Sequence, residues 1–260
     1  MGRYAPLSQG DVWYEEQGSG EALVLIHGGA VDSRFFVHNI GPLAERFRVI
    51  AIDLWGHGRT ADREGPFTLE SFTTDVADLI EQVVGGPAHV VGHSIGAEVA
   101  LGVALRRPEL VRRLVNISGG LNLASDRTPI LDEQIDGAVA FLGATYGEVS
   151  PDGEEHFPVV VRKDFEFTAA GPFFTADDVA AITARTLVMA ADDDLLPIER
   201  FADLYRAIPD AELSIVPGTS HFLLQEKPEA CNTVISDFLS RDPVSIVAPI
   251  RRAPAPPAEG

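Results

Sequence analysis

The sequence predicts an α/β fold, a mostly parallel, doubly wound sheet with helices on both faces, and three observations predict it. Continuous apolar runs, Ala22 to Ile26, Val49 to Ile52 and Thr186 to Ala190, lack polar alternation, which marks strands covered on both sides. Stretches with helical spacing lie between such runs, as in Leu69, Phe72, Val76, Leu79, Ile80 and Val83. Glycines and aspartates punctuate the strand ends, so strand and helix alternate along the chain as a parallel sheet requires. With 260 residues, 45% of them hydrophobic and 23% charged, the chain has the material for one large domain or a domain with an insertion.

Taken in order, Val12-Trp13-Tyr14 is a first strand, ended by Gly18-Ser19-Gly20. The run Ala22 to Ile26 stops at His27-Gly28-Gly29-Ala30, and a helical segment from about Phe35 to Arg46 leads to Val49 to Ile52. Thr68 is placed to cap the next helix, which Gly85-Gly86-Pro87 closes. His89 to Val91 is a buried strand, Ile95 to Leu105 a helix lined with small residues, and Leu114 to Ile117 another strand. Thr186 to Ala190 and Leu213 to Val216 complete the sheet, separated by a helix with Phe201, Leu204, Tyr205 and Ile208 on one face. The last helix runs from about Pro228 to Leu239, where Cys231, Val234, Ile235 and Phe238 form a buried stripe.

One interval breaks the alternation. Between Gly120 and Ala184 there are helix-like pieces around Asp132 to Tyr146 and Asp177 to Thr183, the second with a Thr175-x-x-Asp178 capping box, and no clear buried strand. The reading is a core of residues 1–120 and 184–242, a helical lid insertion at 121–183 and a Pro- and Ala-rich disordered tail at 243–260. The aromatics of the insertion, Phe141, Tyr146, Phe157, Phe165, Phe167, Phe173 and Phe174, are expected mostly to hold it to the core, with some lining an apolar pocket.

Composition excludes several classes. A formal net charge of -19, with Lys163 and Lys227 the only lysines, is wrong for a nucleic-acid surface. A single cysteine, Cys231, rules out an internal disulfide. No apolar h-region follows a basic start and no run of 18 apolar residues occurs, so a cytoplasmic protein without a membrane span is expected. No ligand spacing for a metal is present around Asp192-Asp193-Asp194, and Gly56-His57-Gly58-Arg59 imitates a dinucleotide fingerprint but is followed by Asp62-Arg63-Glu64-Gly65-Pro66 where a helix should begin. No cofactor is expected.

The chemistry centres on Gly92-His93-Ser94-Ile95-Gly96, a Gly-x-Ser-x-Gly core set between a strand and a helix. A direct strand-to-helix turn forces the serine into a crowded backbone conformation and lifts its hydroxyl out of the sheet at a helix N-terminus, where unpaired N–H groups favour negative charge. Five residues alone match by chance in a chain with 24 glycines. A serine nucleophile also needs a base and a group to orient that base. Asp192-Asp193-Asp194 and His221 stand beyond later strands and supply those residue types.

With Leu25-Ile26-His27-Gly28-Gly29, Asp53-Leu54-Trp55-Gly56-His57-Gly58, Val91 to Gly96, Leu187 to Asp194 and Pro217-Gly218-Thr219-Ser220-His221-Phe222 in this order, the chain from about Asp11 to Leu239 resembles the α/β-hydrolase family. The resemblance implies Ser94 as nucleophile and His221 as base. It implies Asp194 as the acid, because Ala191 stands where many members have a glycine three residues before it; Asp193 stays open, since Pro197 lies four beyond it. It also implies an oxyanion hole from the N–H groups of Ile95 and Gly29. His27 and His57 sit in family loop motifs and are expected to brace turns or border the pocket. The implied activity is a serine hydrolase acting on an ester, lactone or thioester with an apolar acyl part. Carbon–carbon bond hydrolases and perhydrolases share the same residues, and a ligand-binding receptor that keeps the fold without turnover is the alternative from another class.

Overall fold

The computed structural model describes residues 2–121, 132–243 and 247. Its strands are β1 (Gly2–Leu7), β2 (Gly10–Gly18), β3 (Glu21–Ile26), β4 (Phe47–Ile52), β5 (Ala88–His93), β6 (Val111–Ile117), β7 (Arg185–Asp193) and β8 (Ala211–Ser220). They form one sheet in the order β1-β2-β4-β3-β5-β6-β7-β8. β1, β2 and β4 pair antiparallel, and every pairing from β4 through β8 is parallel. The parallel strands therefore end on one edge, and the loops that leave it carry the candidate residues.

Helices cover both faces: α1 (Ile40–Ala44), α2 (Leu69–Leu79), α3 (Ile95–Arg106), α4 (Asp132–Gly147), α5 (Phe157–Ala170), α6 (Ala176–Val179), α7 (Ile198–Ala207), α8 (Leu223–Glu226) and α9 (Pro228–Ser240). The strands split their side chains with period two. Val24, Ile26, Val90 and Val188 join one core with α2, α3, α5 and α7, while Leu23, Leu25, Val91 and Met189 join the other with α1, α8 and α9. Continuous apolar runs in the central strands β3, β4, β5 and β7 follow from this, because neither face of these strands meets water along most of its length. Cys231 is fully buried in the second core beside Ile235 and Phe238.

Several local expectations need correction. The segment Phe35 to Arg46 is two pieces, a 3-10 turn at Ser33–Phe36 and the short α1. Pro42 has no N–H to donate back to His38, so it is accommodated in the first turn of α1 and the helix cannot extend back to Phe35. The helix expected at Asp177 to Thr183 is only the four-residue α6, although its capping box at Thr175 and Asp178 is present. β1 was not foreseen: it is an edge strand with four exposed residues, Pro6 among them, and only Ala5 and Leu7 buried. α5 was not foreseen either. Of the insertion's aromatics, Tyr146, Phe157 and Phe167 are buried, Phe167 lying 5.6 Å from the Phe72 ring of α2, whereas Phe141 is 76% exposed. The expected tail falls almost wholly outside the described residues.

Polar ties fix the segment between β6 and β7 to the sheet edge. Lys163 of α5 donates to both oxygens of Asp62, at 2.8 and 2.7 Å, and His156 donates to Asp62 at 2.8 Å. Arg34, after β3, reaches Glu148 at 2.8 Å beyond α4. Among the described residues, no helix is long and apolar enough to cross a membrane.

Candidate active site

Ser94 stands between β5 and α3 with φ 54° and ψ -121°, a conformation that side chains rarely adopt. Its N–H donates to the Ile117 carbonyl at 2.9 Å, which pins the turn to β6. The flanking glycines are demanded by space. A Cβ on Gly92 would fall 2.0 Å from the Gly96 carbonyl oxygen, and one on Gly96 would fall 2.3 Å from that of Ile26. Only a chain without side chains at both positions brings α3 this close to the end of β3.

Ala30, Ser94 and Ser118 are the non-glycine residues with positive φ among the described residues, at 58°, 54° and 54°. They follow β3, β5 and β6 on the same edge of the sheet. Each such conformation costs about 1–3 kcal/mol and persists where surrounding structure holds it, most often at functional sites.

The loop after β3 lies against this turn. A Cβ on Gly28 would be 3.0 Å from that of Ser94, and one on Gly29 would be 2.8 Å from Ile95 Cδ1. Gly29 and Ile95 are thus neighbours beside the serine. His27 braces the loop: its Nδ1–H donates to the Gly28 carbonyl at 2.7 Å and its Nε2 accepts from Leu54 N–H at 2.9 Å. Burial, aided by the nearby His57, pushes its pKa down to about 3, in keeping with a neutral ring.

His221 follows β8, and its Nδ1–H donates to Asp194 Oδ1 at 2.7 Å. Asp194 also accepts from the Ser118 hydroxyl at 2.6 Å, from Leu195 N–H at 2.8 Å and from Ala191 N–H at 3.2 Å. Burial opposes its charge, but the bonds from His221 and Ser118 outweigh it and hold the carboxyl at about 2. Asp193 is exposed at the end of β7, and Asp192 accepts from Thr219 N–H at 3.1 Å. Of the acidic run, only Asp194 meets the imidazole.

His93 supports His221 from below. Its ring stacks on Phe35 at 4.6 Å and its Nε2–H donates to the His221 carbonyl at 2.8 Å. Burial first, and the neighbouring His221 second, push it down to about 3, so it stays neutral.

Ser94 and His221 line one cavity of about 280 Å³ with Gly28, Gly29, Phe35, Val161, Asp164 and Phe165. No hydrogen bond joins Ser94 Oγ to His221 among the described residues, a contact that in substrate-free enzymes is often long and tightens on binding. Asp164, on α5, is a residue that sequence reasoning missed. Its Oδ2 accepts from Ala30 N–H at 2.7 Å and faces His57 Nε2 at 3.1 Å. Ser118 was missed as well; its one signal was the Gly119-Gly120 pair beyond a strand on the functional edge. Among the described residues, no cluster of three or more His, Cys, Asp or Glu side chains could hold a metal.

Residues 23–234 match the model of the alpha/beta hydrolase family, well over half of the chain. The chain belongs to the alpha/beta hydrolase family. Among alpha/beta hydrolases it is similar to the 2-(acetamidomethylene)succinate hydrolase of Mesorhizobium japonicum, at 27% identity over 86% of this chain and 90% of that protein. It is 28% identical to the 2-hydroxy-6-oxo-6-(2'-aminophenyl)hexa-2,4-dienoic acid hydrolase of Metapseudomonas resinovorans, over 88% and 87%. A solved serine hydrolase involved in carbazole degradation superposes with a TM-score of 0.77 at 26% identity, covering 92% of this chain and 98% of that one.

Proposed function

We propose that this alpha/beta hydrolase is a serine hydrolase that cleaves a carboxylic ester, lactone or thioester through an acyl-enzyme. The observation that carries this reading is the Asp194 carboxylate on His221 at 2.7 Å, beside a cavity that His221 shares with Ser94 on its strained turn. Ser94 Oγ attacks the carbonyl carbon while His221 Nε2 takes the hydroxyl proton, and Asp194 stabilises the imidazolium. The N–H groups of Gly29 and Ile95 receive the oxyanion, each such donor lowering the barrier by about 2.7–4 kcal/mol. His221 then returns the proton to the leaving group, activates a water molecule and releases the acid. α4 and α5 act as a lid, and Leu142, Val161, Phe165 and Phe222 favour an apolar acyl part.

The relatives support a second reading. Two of them are named for the hydrolysis of a substituted succinate and of a hydroxy-oxo-dienoic acid, and the same three residues serve hydrolysis of a carbon–carbon bond next to a carbonyl. A panel of p-nitrophenyl esters, lactones, thioesters and vinylogous 1,5-diketone acids separates the two by which class has the highest kcat/KM. In either case a fluorophosphonate should label Ser94, and Ser94→Ala should reduce kcat by a factor on the order of 10⁴ to 10⁶. Unlabelled folded protein, or turnover that survives Ser94→Ala, would leave only a binding protein on this fold.

A further inference from the structure

The cavity contains a carboxylate that the proposed chemistry does not use. Asp164 is 6% exposed and lines the cavity with Ser94 and His221. It lies against the oxyanion loop, since a Cβ on Gly29 would stand 3.1 Å from its Cγ. Its Oδ2 is fully engaged by Ala30 N–H and by His57 Nε2.

His57 Nδ1 faces the Trp55 carbonyl at 2.9 Å, an acceptor, so Nδ1 carries a hydrogen. One further proton lies between Nε2 and Asp164 Oδ2, whichever of the two holds it. Oδ1 therefore carries none. It is buried and has no hydrogen-bond partner among the described residues. A buried carboxylate oxygen left unpaired is expensive, and native proteins keep few of them without use. Among the described residues lining the cavity there is no Lys or Arg, and the hydroxyl of Thr168 is already donated to the Asp164 carbonyl at 3.0 Å.

We propose that Asp164 is a specificity residue whose Oδ1 accepts a hydrogen bond from an N–H or O–H on the substrate. The preferred substrates are then carbonyl compounds with an amide, carbamate or hydroxyl donor close to the scissile carbonyl, and a carboxylate in that place is disfavoured. The inference rests on the serine-hydrolase reading above.

The test uses three p-nitrophenyl esters of nearly equal size: N-acetylglycinate, levulinate, in which CH₂ replaces the N–H, and hemisuccinate, in which a carboxylate replaces the acetyl group. Each kcat/KM is divided by the spontaneous hydrolysis rate of the same ester. Wild type should favour N-acetylglycinate over levulinate by about tenfold or more, as a hydrogen bond to a charged group implies, with hemisuccinate slowest. In Asp164→Asn the amide oxygen keeps the Ala30 N–H and an NH₂ replaces Oδ1, so the first ratio should fall to within about twofold and hemisuccinate should gain. A wild-type ratio near one overturns the inference even if the variant fails to fold, and so does a ratio that Asp164→Asn leaves unchanged. Loss of all three activities in Ser94→Ala, with the ratio flat in wild type, rejects Asp164 while retaining the hydrolase; turnover independent of Ser94 rejects both.

Discussion

Two carboxylate–imidazole pairs flank the same cavity, and they are built for opposite purposes. In Asp194–His221 one ring nitrogen is tied at 2.7 Å and the ring borders the cavity, so its second nitrogen is available for proton exchange. In His57–Asp164 both ring nitrogens face acceptors and the ring is 1% exposed, so its protons are locked. The difference teaches that a His–Asp contact is not by itself a catalytic feature. What matters is whether the second nitrogen is free to face a reacting group.

The largest effect that this contrast predicts is kinetic. His221→Ala and Asp194→Asn should each lower kcat by about 10⁴ or more, whereas His57→Leu should lower it by less than about 10² in protein that remains folded. Equal losses at His221 and His57 in steady-state assays would erase the distinction. The next effect is on stability. His57→Leu leaves the Asp164 charge buried without its partner, and chemical denaturation should show a loss of about 3–5 kcal/mol.

The pH dependence of the two pairs should run in opposite directions. The pKa of His57 is raised despite its burial, because the Asp164 charge outweighs it; the contribution of the pair is therefore complete below the unfolded value of about 6.5 and fades as pH rises through the folded value. Asp194 is held down at about 2, so its contribution is complete above the unfolded value of 3.8 and disappears as pH falls through about 2. Unfolding curves of wild type and of His57→Leu between pH 5 and 9 should converge as pH rises; curves that diverge there would refute the charged pair.

Smaller effects sharpen the picture of the loop between the pairs. Gly29→Ala places a methyl 2.8 Å from Ile95 Cδ1 and 3.1 Å from Asp164 Cγ, side chains that can yield, so kcat should fall by about 10- to 100-fold with Tm nearly unchanged. Gly96→Ala meets the Ile26 carbonyl at 2.3 Å, which is backbone, and should instead reduce soluble yield. A separate effect, confined to alkaline pH, concerns Glu98, buried on the first turn of α3 and pushed up to about 8 by burial alone. Its folded state retains a proton that the unfolded chain loses near 4.5, so stability falls as pH rises between those values. Glu98→Gln should therefore raise Tm clearly at pH 8.5 and leave it unchanged at pH 4, as differential scanning calorimetry would register.

Legibility in the sequence follows the same division. The central strands announce themselves because a parallel strand buried on both faces has mostly apolar residues to offer, as in Ala22–Ile26 and in Thr186–Ala190 before Asp194, whereas β8 before His221 is an edge strand and partly exposed. The elbow is legible because close approach of α3 to β3 admits only glycine at 92 and 96. α5 is hidden for the reverse reason. Its buried stripe, Phe157, Val160, Val161, Asp164 and Phe167, is interrupted by a carboxylate, and a charge in an apolar stripe argues against burial until its partner is known. That partner, His57, lies 107 residues away.

The sequence by itself determined the alternating α/β architecture, the turn that presents Ser94 and the order in which Ser94, Asp194 and His221 follow their strands, since strand and turn are set by local apolar pattern and by glycine at fixed spacing. Only the tertiary structure decided that Asp194 rather than Asp193 meets His221, that Ser118 braces that carboxylate, and that Asp164 shares the cavity with Ser94. Those outcomes depend on hydrogen bonds between distant segments, and the energy of such a bond is set by geometry that no local pattern encodes.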